Sequence, residues 1–162
     1  MSALEQIATA LADEFALPDP GTLTVIVVRL MTAAVLAGLL GIDRERKGRA
    51  AGLKTHILVS VGSALFVLAP LMAGVEMAEV TRVMQGIVSG IGFLGAGAIL
   101  KLDKSTRIEG LTTAAGIWAT SAIGMAAGMG LELVALATTI VALIVVGVLP
   151  KFMRSDETHG KE

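Results

Sequence analysis

Most of the chemistry this chain offers lies in one stretch, Gly41-Ile-Asp-Arg-Glu-Arg-Lys-Gly-Arg-Ala-Ala-Gly-Leu-Lys-Thr-His56. It holds two carboxylates (Asp43, Glu45), five cations (Arg44, Arg46, Lys47, Arg49, Lys54), Thr55 and a histidine. If the preceding helix continues through it, Asp43 pairs with Arg46 or Lys47 and Glu45 with Arg49, at spacings of three and four residues. A carboxylate pair near a membrane face can attract a hard cation such as Mg²⁺, which takes oxygen ligands. Five cations against two carboxylates oppose that. The balance suits an anionic lipid headgroup or a phosphate better than a bare metal. His56 can titrate near neutral pH or serve as a plain hydrogen-bonding residue. The cluster Asp43, Arg44, Glu45, Arg46, Lys54, Thr55 and His56 is the first candidate site, its metal chemistry open. A stop-transfer island held by its own ion pairs is the competing reading.

A second polar set lies among apolar residues. Arg29 sits a turn or two inside an apolar run, where a cation is a functional candidate. It can instead snorkel outward or pair with Glu76, Glu79 or Glu132. Gln85 and Ser89 share a helix face and, with Thr112 and Thr113, could line a polar path. The run from Gly86 through Gly90, Gly92, Gly95 and Gly97 contains the spacing of a dinucleotide fingerprint. No strand or βαβ context surrounds it, so that chemistry is rejected. These glycines, with Gly124 and Gly128, have the spacing that lets helix backbones touch in lipid. A locally unwound helix lining a path is the alternative. Threonine and serine hydroxyls here can also bond back to their own helix carbonyls. No nucleophile–base–orienter set appears, and His159 lies in a polar tail. The expectation is no enzyme and no cofactor.

These residues must be positioned by membrane helices. The 162-residue chain is 54% hydrophobic and 17% charged, with the charges in islands between apolar runs. Its mean hydropathy is +0.80, the distribution of a polytopic membrane protein rather than a soluble one. A net charge of −1 without a basic domain sets nucleic acid aside. The absence of cysteine excludes disulfides and thiolate chemistry. Four Phe, one Trp and no Tyr leave almost no aromatic belt, so Lys, Arg and helix packing must anchor the chain. The acidic N-terminal stretch does not read as a signal peptide.

Residues 1–20 predict an amphipathic helix, capped by Ser2 and Glu5 and ended by Pro18 and Pro20. It lies on the membrane surface or packs on the bundle. Residues 21–150 predict five spans, at Thr22–Ile42, Ile57–Gly74, Val83–Leu102, Leu111–Met129 and Leu131–Leu149. Residues 151–162 form a short tail. Cations across the successive loops alternate many, few, several, none and several. By the positive-inside rule this puts the N-terminus outside and the C-terminus in the cytoplasm. Gly128-Met-Gly130 predicts a tight antiparallel pair of the last two helices. The fold class is all-α: a five-transmembrane-helix bundle with an N-terminal interfacial helix. Its glycine faces suggest a homodimer, with membrane lipids and other membrane proteins as further partners.

Three stretches, in order, carry a family resemblance: Gly41-x-Asp-Arg-Glu-x-Lys-Gly through Ala-Gly-Leu-Lys-Thr-His56, Val88-Ser-Gly-Ile-Gly-Phe-Leu-Gly-Ala-Gly97, and Gly110-Leu-Thr-Thr-Ala-Ala-Gly-Ile-Trp-Ala-Thr120. From about Leu30 to about Gly130 the chain resembles the MgtC/SapB family of bacterial inner-membrane proteins. The resemblance implies a multi-helix plasma-membrane protein related to ones linked to growth in low magnesium and to virulence. For the family, magnesium transport and a regulatory role on other membrane complexes are competing accounts. It also implies importance for the acidic residue at Asp43 and, more weakly, for Glu45. Two departures stand out. Longer members carry a soluble C-terminal domain that is not expected here, and Glu109 stands where members often have a basic residue.

Overall fold

The computed structural model describes residues 2–101 and 108–148. Lys104, Arg107 and the tail cations, on which part of the topology count rests, and His159 lie outside the described residues. Among the described residues there are six α-helices: α1 Ala3–Glu14, α2 Pro20–Arg46, α3 Leu53–Met72, α4 Met77–Gly97, α5 Leu111–Gly128 and α6 Glu132–Leu143. A π-helical turn, Ile144–Val148, continues α6. Among the described residues the helices are joined by a pair of two-residue strands, Leu100–Lys101 and Ile108–Glu109, antiparallel with Leu100 opposite Glu109.

Local chemistry sets the helix ends. Ser2 and Glu5 form the expected capping box on α1. Pro20 does not end a segment; it occupies the first turn of α2, with Asp19 as N-cap accepting from Gly21 and Thr22 N–H. A proline lacks only a donor that no helix start uses. The 75–82 stretch, expected as a loop, is mostly helical, because α4 begins at Met77. Glu79 and Arg82 pair at 3.0 Å across one turn there. Helix α4 runs unbroken to Gly97, so its glycines do not unwind it. The α5–α6 connection is the expected tight turn. Gly130 adopts φ of 79°, and Leu131 N–H closes onto Ala126 C=O at 2.9 Å, the Schellman arrangement that requires a left-handed residue.

Helix α5 is central and packs against α2, α3, α4 and α6. Ten of its residues are buried, from Thr113 to Gly128. It runs parallel to α3: Gly116 faces His56, Gly124 lies on the Ser60 carbonyl and Gly128 on the Ala64 carbonyl. Helix α2 runs antiparallel to α3, with Gly41 against Leu53 and Gly38 against Ile57. One end of the bundle therefore collects the C-termini of α2 and α6 and the N-termini of α3 and α5. The core is small and aliphatic, centred on Ala33, Leu36, Ala64, Ile123, Ala127 and Ala135. The outside is apolar: Val28, Val35, Leu39, Leu58, Leu65, Phe93, Leu133 and Val141 are among its exposed side chains. Buried serines and threonines with exposed aliphatic residues suit a hydrocarbon solvent. No residue of α1 is buried.

Two helices, α2 and α3, are long and apolar enough to cross a bilayer. Helix α4 and the central α5 are diluted by glycine, and α5 also by Thr112, Thr113, Thr120 and Ser121. Helix α6 with its π turn is apolar but shorter.

Candidate functional site

The charged stretch after Gly41 does not form a loop at once. Helix α2 continues through Asp43, Arg44 and Glu45 to Arg46 and ends in a turn around Gly48. Asp43 then sits one helical turn from Lys47, and their charges meet at 2.8 Å. The Lys47 ammonium also donates to Val146 C=O at 2.9 Å, in the π turn that ends α6. Of the two partners expected for Asp43, Lys47 is taken and Arg46 is left exposed. Glu45 does not pair with Arg49. Its Oε2 instead accepts the Leu53 N–H at 2.7 Å, capping the N-terminus of α3, where N-cap Gly52 has no side chain to do so. A helix start leaves N–H groups unfilled, and a carboxylate there satisfies both hydrogen bond and dipole.

Arg44 and His56 lie inside, only 2% and 1% exposed. Their burial follows from close approach of the helices: a Cβ on Gly41 would stand 2.8 Å from Leu53 Cα and 3.1 Å from His56 Cβ. His56 Nδ1 is 2.8 Å from Gly52 C=O, and since a carbonyl only accepts, Nδ1 carries the proton. Arg46, Lys54 and Thr55 are exposed around this core. The stretch is therefore divided: two carboxylates bonded to partners in the same chain at its surface, a buried arginine and histidine, and an outer rim of cations. Asp43 and Glu45 serve different partners, and among the described residues no group of three or more acidic or histidine side chains is placed to hold a metal.

The second set is dispersed. Arg29 reaches neither Glu76, Glu79 nor Glu132; it donates to Gly128 C=O at 3.0 Å, closing the C-terminus of α5. A cation on the carbonyl end of a helix is favourable for the same dipolar reason as a carboxylate at the start. Gln85 and Ser89 are exposed on α4, Thr112 is exposed and Thr113 is buried. They do not converge on one path within the protomer. The glycines also divide. Gly124 and Gly128 press on α3, and Gly95 meets Ala114 at an ordinary 3.5 Å. Gly86, Gly90, Gly92 and Gly97 have nothing within 4 Å of where a Cβ would be, so they make no close helix packing within this chain. Gly86 and Gly90 instead line an apolar groove of about 570 Å³ between α3 and α4, with Gly62, Phe66 and Leu94.

Sequence reasoning marked Gly124 and Gly128 for close packing but did not identify α3 as the helix they meet. Ser63 and Ser121 bond each other across the α3–α5 seam at 2.8 Å, while Ser60 on α3 donates to Ala33 C=O of α2 at 3.0 Å. Thr120 bonds back to Gly116 C=O at 2.8 Å, as its position allows. The four-residue spacing of Ser60 with Ala64, matched to Gly124 with Gly128, was the available signal.

The MgtC family profile matches residues 30–155. Among similar proteins, Protein SrpB of Synechococcus elongatus is 39% identical over 137 residues, covering 78% of this chain and 75% of that protein. The Putative magnesium transporter YhiD of Escherichia coli K12 is 37% identical over 129 residues, 75% of this chain and 59% of that protein. Protein MgtC of Salmonella typhimurium is 39% identical over 117 residues, 72% of this chain and 49% of that protein. The chain thus spans three quarters of the first relative and about half to three fifths of the other two. No solved structure matches. Matched over most of its length by that profile, with the charged stretch, the glycine helix and the central helix all inside the matched region, the chain belongs to the MgtC family.

Proposed function

We propose that this chain is a five-span, non-enzymatic protein of the bacterial plasma membrane, N-terminus outside and C-terminus cytoplasmic. In this reading it supports magnesium and membrane homeostasis by binding other membrane components at its cytoplasmic end. The observation that carries the docking face is the division of the charged stretch. Asp43 and Glu45 are taken up by Lys47 and the start of α3, which leaves Arg46, Arg49 and Lys54 as exposed cations without those partners. Such a rim suits lipid phosphates or an acidic face of another protein. Five spans are supported by the apolar exterior of the bundle. The modest apolarity of α5 fits its place at the centre, where it faces protein rather than lipid. Helix α1, with its apolar residues exposed, suits the membrane surface. The test is Asp43→Asn in a strain that needs this protein for growth at low magnesium, with membrane insertion checked in parallel. Growth is expected to fail while insertion persists. Unimpaired growth overturns the site.

A second reading is ion transport, favoured by the name of one relative, a putative magnesium transporter. Gln85 and Ser89 face away from the protomer interior, so a path through them would run beside α4, against lipid or a second copy. Flux into liposomes decides: Mg²⁺ uptake above empty vesicles supports transport, and none supports docking. The open glycine face of α4 also supports a homodimer, which native mass measurement in mild detergent tests. A purely monomeric protein overturns it.

A further inference from the structure

The least explained group in the fold is the Arg44 guanidinium. It is 2% exposed, and its Nε and Nη2 atoms have no hydrogen-bond partner among the described residues. A buried charge without partners is strongly unfavourable, and one left so in a folded protein calls for an explanation. The two carboxylates beside it are engaged elsewhere, Asp43 with Lys47 and Glu45 with the start of α3. Nε and Nη2 are the two nitrogens whose N–H bonds point the same way. Together they form the edge that grips two oxygens of one oxyanion.

A second unpartnered atom lies in the same region. His56 Nε2 is buried without a hydrogen bond and faces Gly116, whose Cβ would stand 3.6 Å away. Arg44 lies one turn beyond Gly41, which touches His56. Long helical side chains lean back toward the helix N-terminus, which from Arg44 is the direction of Gly41 and the imidazole beside it. Because Nδ1 holds the ring proton against Gly52 C=O, Nε2 of the neutral ring is an acceptor. It needs a hydroxyl, not a bare oxygen. The start of α5 lies at this end, where an anion is favoured, although the C-termini of α2 and α6 gather there too and Glu45 already caps α3. N-cap Gly110 of α5 supplies no side-chain acceptor.

We propose that Arg44 and His56 bind a small oxyanion that still carries a hydroxyl group, of the hydrogen phosphate or hydrogencarbonate kind. The Arg44 fork donates to two of its oxygens, and its hydroxyl donates to His56 Nε2. A phosphate monoester headgroup has the same chemistry and is the lipid form of the ligand. Sulfate matches the charge and shape of phosphate but has no proton at neutral pH, so it leaves Nε2 unpaired. This site is independent of the docking role: the docking reading stands or falls on low-magnesium growth, and this one on ion binding.

The test uses the full chain in mild detergent with ¹⁵N-labelled histidine and His159→Gln to leave one signal. Sodium phosphate, hydrogencarbonate and sulfate are titrated separately, and phosphatidate is added in bicelles as the lipid arm. Phosphate or hydrogencarbonate should move the His56 Nε2 resonance saturably and bind at least about tenfold more tightly than sulfate. Saturation by phosphatidate alone assigns the lipid form. Arg44→Lys should weaken binding by at least about tenfold, because an ammonium cannot reproduce the fork. If that variant fails to fold, the phosphate–sulfate comparison on the parent chain decides. No saturable shift with phosphate, hydrogencarbonate or phosphatidate, or sulfate binding as tightly as phosphate, overturns the proposal.

Discussion

Gly124→Ala is the sharpest test of the bundle. A methyl group at Gly124 would overlap the Ser60 carbonyl and stand 2.8 Å from Ser60 Cα. Carbon atoms in contact need about 3.5–4.0 Å, so α3 and α5 must separate by roughly 1 Å at their closest point. The obstacle is backbone, which cannot rotate aside as a side chain can. Overpacking of this kind costs about 1–3 kcal/mol. The Ser63–Ser121 hydrogen bond lies on the same seam, and losing it adds about 1 kcal/mol. Alanine returns up to about 1 kcal/mol through its better helix propensity. The net expectation is destabilisation by about 1–3 kcal/mol, a fall in Tm of roughly 2–12 °C at about 2–4 °C per kcal/mol. Gly90→Ala is the internal control: nothing lies within 4 Å of that position, so only the propensity gain remains and the protomer should be unchanged or slightly stabilised. Thermal unfolding followed by circular dichroism in one detergent compares the two. If Gly124→Ala is as stable as Gly90→Ala, the α3–α5 contact described here is wrong.

Glu45→Ala removes the acceptor of the Leu53 N–H and should cost about 1 kcal/mol, as loss of a helix cap does. Faster amide exchange confined to the first turn of α3 would identify the cause. Arg29→Met leaves the Gly128 carbonyl without its charged donor; a loss of about 1.5–3 kcal/mol is expected, with the α5–α6 turn exchanging fastest. Hydrogen bonds from Thr22, then Gly21, hold the Asp19 carboxyl below its usual range. A group whose folded pKa is depressed stabilises above its unfolded value and loses that contribution as pH falls through the folded one. The first turn of α2 should therefore loosen only in acid, and Asp19→Ala should abolish that acid dependence.

Much of the fold was legible because apolar length and punctuation are local properties. The capping box at Ser2, the tight turn at Gly130 and the Asp43–Lys47 pair all follow from residues within four or five positions of each other. The long-range partners were not legible. Glu45 has a neighbouring cation at Arg49, yet the orphan N–H of Leu53, brought close by the chain reversal, competes better for its carboxylate. Arg29 has three carboxylates among its expected partners and takes a carbonyl, because a helix end comes nearer than any of them. The start of α4 was misplaced because Glu79 and Arg82 read as loop charges, although a one-turn ion pair is compatible with a helix. The glycines show the same limit: spacing marks a face fit for close contact, but Gly124 and Gly90 differ only in whether a neighbour arrives.

The Lys47 ammonium joins the end of the long α2 helix to the end of α6, 99 residues away in sequence. In terms of ion exchange, that ammonium is a tethered counter-ion already seated between the Asp43 carboxylate and a helix-terminal carbonyl. Any free cation arriving at Asp43 must compete with a charge that cannot diffuse away. Displacement would leave the ammonium held only by the Val146 carbonyl, so the carboxylate and the end of α6 share one cation between them.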